Sequence, residues 1–216
     1  MARAGKNPEG VHQLRVAVAR IRVWLDLGRW RVLHDDLRWL RAKAAPVRDL
    51  DVQLAREAPA PLRGALVAER EAARSVLLAA LDDARFESLV SALASMRPVH
   101  RRQARKCVAR FVGRALARGR AAGPKDYARL HALRRSVRRV RFAIEWMGEP
   151  VDELIALQDA LGAFGDAWVA VRRARRNGEG REIRRHRRRL EGELRDSARV
   201  AWRSWRRTER TLEALS

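Results

Sequence analysis

Apolar residues recur at helical spacing along nearly the whole chain. Four of them advance by four, three and four positions and so share one face of a helix predicted over residues 9–32: Leu14, Val18, Ile21 and Leu25. No sustained alternation of apolar and polar residues is bounded as a strand would be. The pattern therefore predicts an all-α chain.

This apolar face occurs a second time, about 119 positions later, at Leu133, Val137, Val140 and Ile144. The polar residues beside it repeat as well, in four pairs: His12 with His131, Arg15 with Arg134, Arg20 with Arg139, and Arg22 with Arg141. A second helix predicted over residues 35–57 has its counterpart over residues 151–177 at an offset near 117. Because an internal repeat constrains the architecture, we expect the functional site to be built twice.

Proline and glycine mark the joints between the predicted helices. They occur at Pro59, Pro61, Pro98, Gly119, Gly123, Pro124, Gly148, Pro150 and in the turn at residues 177–180. Helices are expected to run between these joints, and the last one, over residues 181–212, is very basic. Pro46 falls inside the second pattern, where it is expected to kink the helix or restart it. Gly162 and Gly165 predict a close backbone approach. Long helices with short connections favour antiparallel bundles.

The composition predicts a folded, strongly basic protein. With 216 residues, 47% of them hydrophobic, the chain can bury a core in one large domain or two half-domains in contact. The formal net charge of +22 predicts an anionic partner: nucleic acid, an acidic membrane surface or a polyphosphorylated compound. Arginine supplies 44 of the 48 basic residues, and its planar fork suits bidentate contacts to phosphate oxygens.

A single cysteine, Cys107, excludes an intramolecular disulfide and a cysteine-based zinc cluster. No signal peptide is recognisable, and no stretch of about 18 uncharged apolar residues could span a bilayer. We therefore expect a cytoplasmic protein without a membrane span.

One flank of the first predicted helix carries five residues beside the apolar stripe and not opposite to it: His12, Arg15, Ala19, Arg22 and Arg29. The second copy carries four on the same flank: His131, Arg134, Arg138 and Arg141. Groups beside a core are partly immobilised by packing, so they can present donors to an anion at a small entropic cost. A solvated, ion-paired surface is the alternative, but too few acids lie nearby to pair these arginines.

Asp49 and Asp166 occupy matching positions on the second helix of each copy. In an arginine-rich bundle they are expected to be internal counter-ions that hold arginines of the first helix in position. For His12 and His131 two roles stay open, either direct contact with the ligand or a hydrogen bond that orients a neighbouring side chain.

Catalytic signatures are scarce in this sequence. It has no phosphate-binding glycine loop, no histidines three or four residues apart and no nucleophile elbow. We therefore expect a binding protein without cofactor or metal. An enzyme that uses a phosphorylated histidine or a histidine-bound metal, built on His12 and His131, is an alternative.

The ordered set of motifs resembles the CHAD family, the conserved histidine α-helical domain. Four segments carry the resemblance: His12–Arg22 (HQLRVAVARIR), Pro46–Val52 (PVRDLDV), His131–Arg141 (HALRRSVRRVR) and Leu157–Asp166 (LQDALGAFGD). It implies a single domain over residues 1–216, made of two antiparallel four-helix bundles related by a pseudo-twofold repeat, with halves at about 8–96 and 97–212. It further implies a module that binds inorganic polyphosphate and locates to polyphosphate granules.

The polyphosphate hypothesis assigns eleven residues to the ligand: His12, Arg15, Arg20, Arg22, Lys43, Arg48, His131, Arg134, Arg138, Arg139 and Arg141. Arg20 and Arg139 lie further round the helix than the others. The second copy lacks an arginine before Asp166, which departs from strict symmetry. A nucleic-acid-binding protein is the main alternative, because backbone neutralisation would use the same charge.

Overall fold

The computed structural model describes residues 8–56, 59–176 and 180–215. Eight helices and no strand occur in these ranges, which confirms the all-α prediction. The helices are α1 (Pro8–Gly28), α2 (His34–Leu54), α3 (Ala60–Leu81), α4 (Ala84–Ala94), α5 (Arg101–Ala121), α6 (Tyr127–Met147), α7 (Asp152–Ala174) and α8 (Arg181–Ala214).

The chain forms two compact units, Met1–Val99 and His100–Ser216. The first unit therefore contains α1 to α4 and the second contains α5 to α8. Four helices in each unit agree with the bundles that the sequence predicts, while their pseudo-twofold relation stays a prediction.

In the first unit, α2 is the central helix, and it packs against α1, α3 and α4. The predicted apolar face of α1 lies in this core, with Val18 exposed by 2% and Leu25 by 0%. Leu14 and Ile21 pack against it from partly buried positions. α2 continues through Pro46, so the helix does not restart there.

A buried ion pair joins α2 to α3. Nε of Arg70 donates to Oδ1 of Asp51 at 2.7 Å, and the two side chains are exposed by 15% and 2%. The hydrogen bond to Asp51 raises the pKa of Arg70 above its usual value. Asp51 belongs to the apolar stripe of α2, and this pairing explains how a carboxylate is accommodated there.

α1 ends at Gly28, so the prediction that it extends to residue 32 is wrong. Arg29 adopts a left-handed conformation with φ of 56°. The Trp30 amide donates to the Leu25 carbonyl at 3.0 Å and the Arg29 amide to the Asp26 carbonyl at 3.2 Å, the paired bonds of a Schellman motif. Arg29 thus leaves the flank on which the helical wheel placed it.

The segment between Pro61 and Pro98 contains none of the joints named from the sequence, although a four-helix bundle in the first half requires two helices there. The structure has two, because α3 stops at Leu81 and α4 starts at Ala84. Asp83 caps the new helix, since its side chain accepts from the Arg85 amide at 2.8 Å. An N-cap aspartate satisfies an amide that the helix start leaves without a partner, so the chain turns here without proline or glycine.

The core of the second unit contains the second copy of the apolar face. The repeated apolar face is confirmed, because Leu133, Val137 and Val140 are 0% exposed and Ile144 is 1% exposed. α8 packs chiefly against α7 and also against α5 and α6. Its Trp205 is fully buried, and the indole ring occupies the place where a Cβ on Gly119 of α5 would stand.

Within the described chain, α7 is the one helix that is long and apolar enough to cross a membrane. Its apolar stretch includes Asp159 and Asp166. α7 packs against α6 and α8, and the core helix of a bundle passes the same test of length and composition.

Candidate anion-binding site

An ion pair between α1 and α2 organises the site of the first unit. Nη1 of Arg15 donates to Oδ1 of Asp49 at 2.8 Å and to the carbonyl of Ala45 at 3.4 Å. The Arg15 side chain is 24% exposed. The structure therefore confirms that Asp49 is a counter-ion of an arginine on the first helix. The Asp49 side chain is 43% exposed, so the counter-ion is not internal as predicted, and part of the guanidinium stays accessible.

The other predicted residues of this unit differ in burial. His12 and Arg22 on α1 are partly buried, as are Lys43 and Arg48 on α2, whereas Arg20 is exposed. Partly buried cations lose less side-chain entropy on binding. His12 makes no hydrogen bond within the described residues, so no contact there assigns it the role of orienting a neighbour.

In the second unit, His131 on α6 packs against an aromatic side chain of α7. Its ring lies 4.6 Å from that of Trp168, centroid to centroid. The guanidinium of Arg172 lies 5.5 Å from the centre of the same Trp168 ring. Nδ1 of His131 is buried and has no hydrogen-bond partner in the described chain. The histidine is thus held by ring packing and not by a hydrogen bond to an arginine.

A cluster of positive charge surrounds this histidine. The pKa of His131 is lowered from 6.5 to about 4, first by burial of the ring and then by four arginines: Arg135, Arg134, Arg138 and Arg172. Each of these charges opposes protonation of the imidazole. We call His131 and these four arginines the His131 cluster. Such a concentration of guanidinium groups favours the approach of an anion.

The Arg134 side chain lies against Gly165 of α7. A Cβ at residue 165 would stand 2.9 Å from its Nε and 3.1 Å from its Cδ. Gly162 has nothing within 4 Å of such a Cβ. The predicted close approach at the two glycines is therefore wrong for Gly162, and at Gly165 the approaching group is a side chain instead of backbone.

The second unit does not repeat the pairing of Arg15 with Asp49. Asp166 makes no ion pair with any described residue, so the counter-ion prediction fails for this copy. Gly165 occupies the repeat position of Arg48, and Arg134 packs onto it. The second copy thus lacks the counterpart of Arg48. It also places Arg134, the counterpart of Arg15, against a glycine and not against an aspartate.

Two of the predicted ligand residues, Arg139 and Arg141, contact side chains outside the His131 cluster. The Arg139 guanidinium lies 5.3 Å from the Phe111 ring of α5, whereas the His131 cluster faces α7. Nε of Arg141 donates to Glu145 at 2.7 Å, with side-chain exposures of 17% and 19%. Arg139 is therefore packed on another helix and Arg141 is neutralised, so neither belongs to the His131 cluster.

Sequence reasoning missed Arg135 and Arg172, which the structure brings to His131. Arg172 follows Trp168 by four positions, the spacing at which helical side chains meet. That spacing was available from the sequence, but the contact of Trp168 with His131 depends on how α6 packs against α7.

The chemistry of the site is that of a set of hydrogen-bond donors with fixed charge. No group of three or more His, Cys, Asp or Glu residues suited to a metal ion occurs in the part of the chain that the structure describes. Cys107 is buried. Guanidinium groups cannot lose their protons at neutral pH, so they are suited to holding anionic oxygens.

Comparisons with known proteins identify the family. Residues 1–175 match the family model of the CHAD domain. The crystal structure of the CHAD domain from the plant Ricinus communis is similar to this chain, with a TM-score of 0.66 and 22% sequence identity, over 97% of this chain and 80% of that one. No curated protein matches the chain. The structural similarity shows a shared fold, and the family model covers most of the sequence. The resemblance stated from the motifs is therefore confirmed, and the chain belongs to the CHAD domain family.

Proposed function

We propose that this CHAD domain binds inorganic polyphosphate. The observation that carries the proposal is the His131 cluster, in which four arginines lie close enough to one half-buried imidazole, packed on Trp168, to oppose its protonation. A bound polyanion would relieve their mutual repulsion. The Arg15 guanidinium, fixed by Asp49 and still accessible, supplies the corresponding donor of the first unit.

Recognition would proceed through many charge-assisted hydrogen bonds to phosphate oxygens. Polyphosphate is an unbranched chain that offers anionic oxygens and no bases. A rigid set of guanidinium groups can therefore bind every kind of polar group on this ligand. Arg15, Arg22, Lys43 and Arg48 would act in the first unit, and Arg134, Arg138 and Arg172 in the second. His12 and His131 would lie beside these donors.

The aromatic residues support polyphosphate over single-stranded nucleic acid. Binding of single strands relies on aromatic side chains on which bases stack. Trp205 is fully buried and Trp168 is partly buried, whereas Trp146 is the one large aromatic residue exposed in the described chain, at 51%. One exposed tryptophan offers little surface for stacking.

We further propose that the domain is a binding module and not an enzyme, and that it resides in the cytoplasm at polyphosphate granules. A histidine-based phosphotransfer or metal enzyme is the competing hypothesis. The enzyme hypothesis requires a catalytic activity that disappears in His12→Asn or His131→Asn. In its metal form it also requires metal in the purified protein. The binding hypothesis requires graded losses of affinity in the arginine variants instead.

A competition titration tests the proposed function. Long-chain polyphosphate and a single-stranded oligonucleotide of matched charge compete for the protein at about 0.15 M salt and at several-fold higher salt. We expect a preference for polyphosphate that persists at high salt, because the donors are fixed by packing. Equal binding that collapses for both ligands at high salt would contradict the proposal and favour a generic cationic surface.

A further inference from the structure

The outward face of α8 carries a second concentration of arginine, separate from the His131 cluster. Eleven of the twelve arginines of this helix are exposed. They are Arg181, Arg184, Arg185, Arg188, Arg189, Arg195, Arg199, Arg203, Arg206, Arg207 and Arg210. We call this set the α8 arginine row. All of α8 lies beyond the residues that the family model matches, which end at residue 175.

The α8 arginine row is a narrow stripe and not an all-round distribution of charge. At 3.6 residues per turn its members fall within a sector of about 140°. Between Arg181 and Arg210 the stripe extends about 43 Å along the helix at 1.5 Å per residue. The opposite face of α8 is buried, with Leu190, Leu194 and Leu212 at 0% to 4% exposure. Arginine thus covers nearly the full length of the solvent side.

Several carboxylates at the edges of the stripe are paired with arginines outside α8. Arg175, the residue that follows α7, donates to Glu191 at 3.0 Å, and Arg120 of α5 donates to Glu209 at 3.0 Å and also to Glu213. Within the row, Arg199 pairs with Asp196 at 3.5 Å and Arg189 pairs with Glu193 at 3.8 Å.

The exposed arginines in the middle of the row are accessible as donors. Arg188, Arg195 and Arg203 make no ion pair with a described residue. At the C-terminal end, Arg206, Arg207 and Arg210 line a shallow cavity of about 590 Å³ together with Arg120 and its two partners, Glu209 and Glu213. The row thus offers three accessible guanidinium groups along the helix, at Arg188, Arg195 and Arg203, and a concave end.

The shape of the row favours a flexible, unbranched polyanion. The apolar face of α8 is buried in the unit, so it is not available to insert into a bilayer. A nucleic-acid duplex carries its phosphates on a helical path that completes a turn in about 34 Å, and it would diverge from a straight row of 43 Å. Trp202 is the one aromatic side chain within this sector of α8, and it is only partly exposed, which leaves little surface for stacking bases. A polyphosphate chain can follow it throughout.

We propose that the α8 arginine row is a second binding surface for polyphosphate, which engages a further segment of a long chain bound by the protein. This inference rests on the proposed function. Two surfaces joined by one ligand act cooperatively through effective concentration. The protein therefore selects long chains over short ones, because a short chain can contact one surface at a time.

The test compares long-chain polyphosphate with tripolyphosphate in calorimetric titrations of the full chain. The variant Arg188→Gln, Arg195→Gln, Arg203→Gln removes three exposed charges from the row. Its matched control, Arg102→Gln, Arg105→Gln, Arg114→Gln, removes three exposed arginines of α5 that also make no ion pair with a described residue. Thermal unfolding of both variants shows whether the fold is intact.

We expect the α8 variant to bind long-chain polyphosphate about tenfold more weakly than the unmodified protein. Its affinity for tripolyphosphate should not change, and the α5 control should keep its long-chain affinity within about twofold. Equal losses in the two variants, or an unchanged long-chain affinity of the α8 variant, would overturn the inference and leave the proposed function intact. A larger loss for duplex DNA than for polyphosphate would assign the row to nucleic acid and overturn it as well. Failure of the unmodified protein to bind either polyphosphate would refute the proposed function and the inference with it.

Discussion

The side chain of Arg134 lies across Gly165, and its Nε is 2.9 Å from the position that a Cβ on this glycine would take. Arg134 belongs to α6 and Gly165 to α7, so the absence of a side chain on one helix determines where a guanidinium of the other can lie. In the first unit a carboxylate positions the matching guanidinium, because Asp49 pairs with Arg15. The two copies therefore place matching arginines by different means.

Gly165→Ala should displace Arg134 and weaken polyphosphate binding. Alanine favours the helix over glycine by up to about 1 kcal/mol, so the fold should tolerate the change while Arg134 moves. Gly162→Ala is the matched control, because a Cβ there meets nothing within 4 Å. Isothermal titration should show weaker binding for the first variant alone. Unchanged binding in both variants would remove Arg134 from the site.

Alanine at Arg15 and at Arg22 should weaken polyphosphate binding in steps. Each arginine lost should reduce affinity about two- to fivefold at moderate salt and lower the slope of log affinity against log salt by about 0.7. Arg31→Ala, an exposed arginine just beyond α1, should change neither quantity. Equal effects of all three substitutions would indicate that only the total charge of the protein matters.

His131 should make both stability and binding depend on pH between about 4 and 6.5. The folded protein keeps the ring neutral down to a pKa of about 4, whereas an ordinary histidine titrates at 6.5. Between these values the unfolded chain takes up a proton that the folded chain does not, so the free energy of unfolding falls as the pH decreases.

A bound polyanion would offset the surrounding arginines and raise the pKa of His131, so binding should take up a proton and tighten as the pH falls through this window. An NMR titration of the imidazole with and without polyphosphate measures the shift. His131→Asn should lose this part of the pH dependence. A pKa that does not rise when polyphosphate binds would contradict a ligand near this ring.

Gly119→Ala should destabilise the second unit, because the new Cβ would overlap the Trp205 ring. Overpacking of this kind costs about 1–3 kcal/mol. Gly113→Ala on the same helix is the control, since its Cβ meets nothing within 4 Å, and it should gain up to about 1 kcal/mol. Chemical denaturation measures both. A stabilised Gly119→Ala variant would show that Trp205 can move at little cost.

Helical periodicity predicted the fold class and the buried faces of α1 and α6, because a period near 3.6 is a property of the sequence alone. The ends of the helices were harder to predict. Arg29 ends α1 in a conformation usually taken by glycine, and Asp83 starts α4 where no proline or glycine marks a joint. Both depend on hydrogen bonds that local composition does not reveal.

The candidate site was predicted less completely than the fold. The flank of α1 and α6 followed from the helical wheel, and so did the partial burial of His12 and Arg15. The approach of Arg172 to His131 and the packing of Arg139 on Phe111 did not, because they depend on which helix lies beside α6. The pairing of Arg141 with Glu145 spans four positions, and a search for such pairs along the helix would have found it.

The buried pair of Asp51 and Arg70 has a consequence for the alignment of α3 with α2. Much of α3 is alanine and leucine, and such a surface could slide by one turn against its neighbour with a modest change in apolar contact. The carboxylate distinguishes these alignments, since a shifted α3 would leave Asp51 buried without its guanidinium, at a cost of about 3–5 kcal/mol. One polar contact in an apolar interface thus selects a single register between two helices that hydrophobic packing alone would specify only loosely.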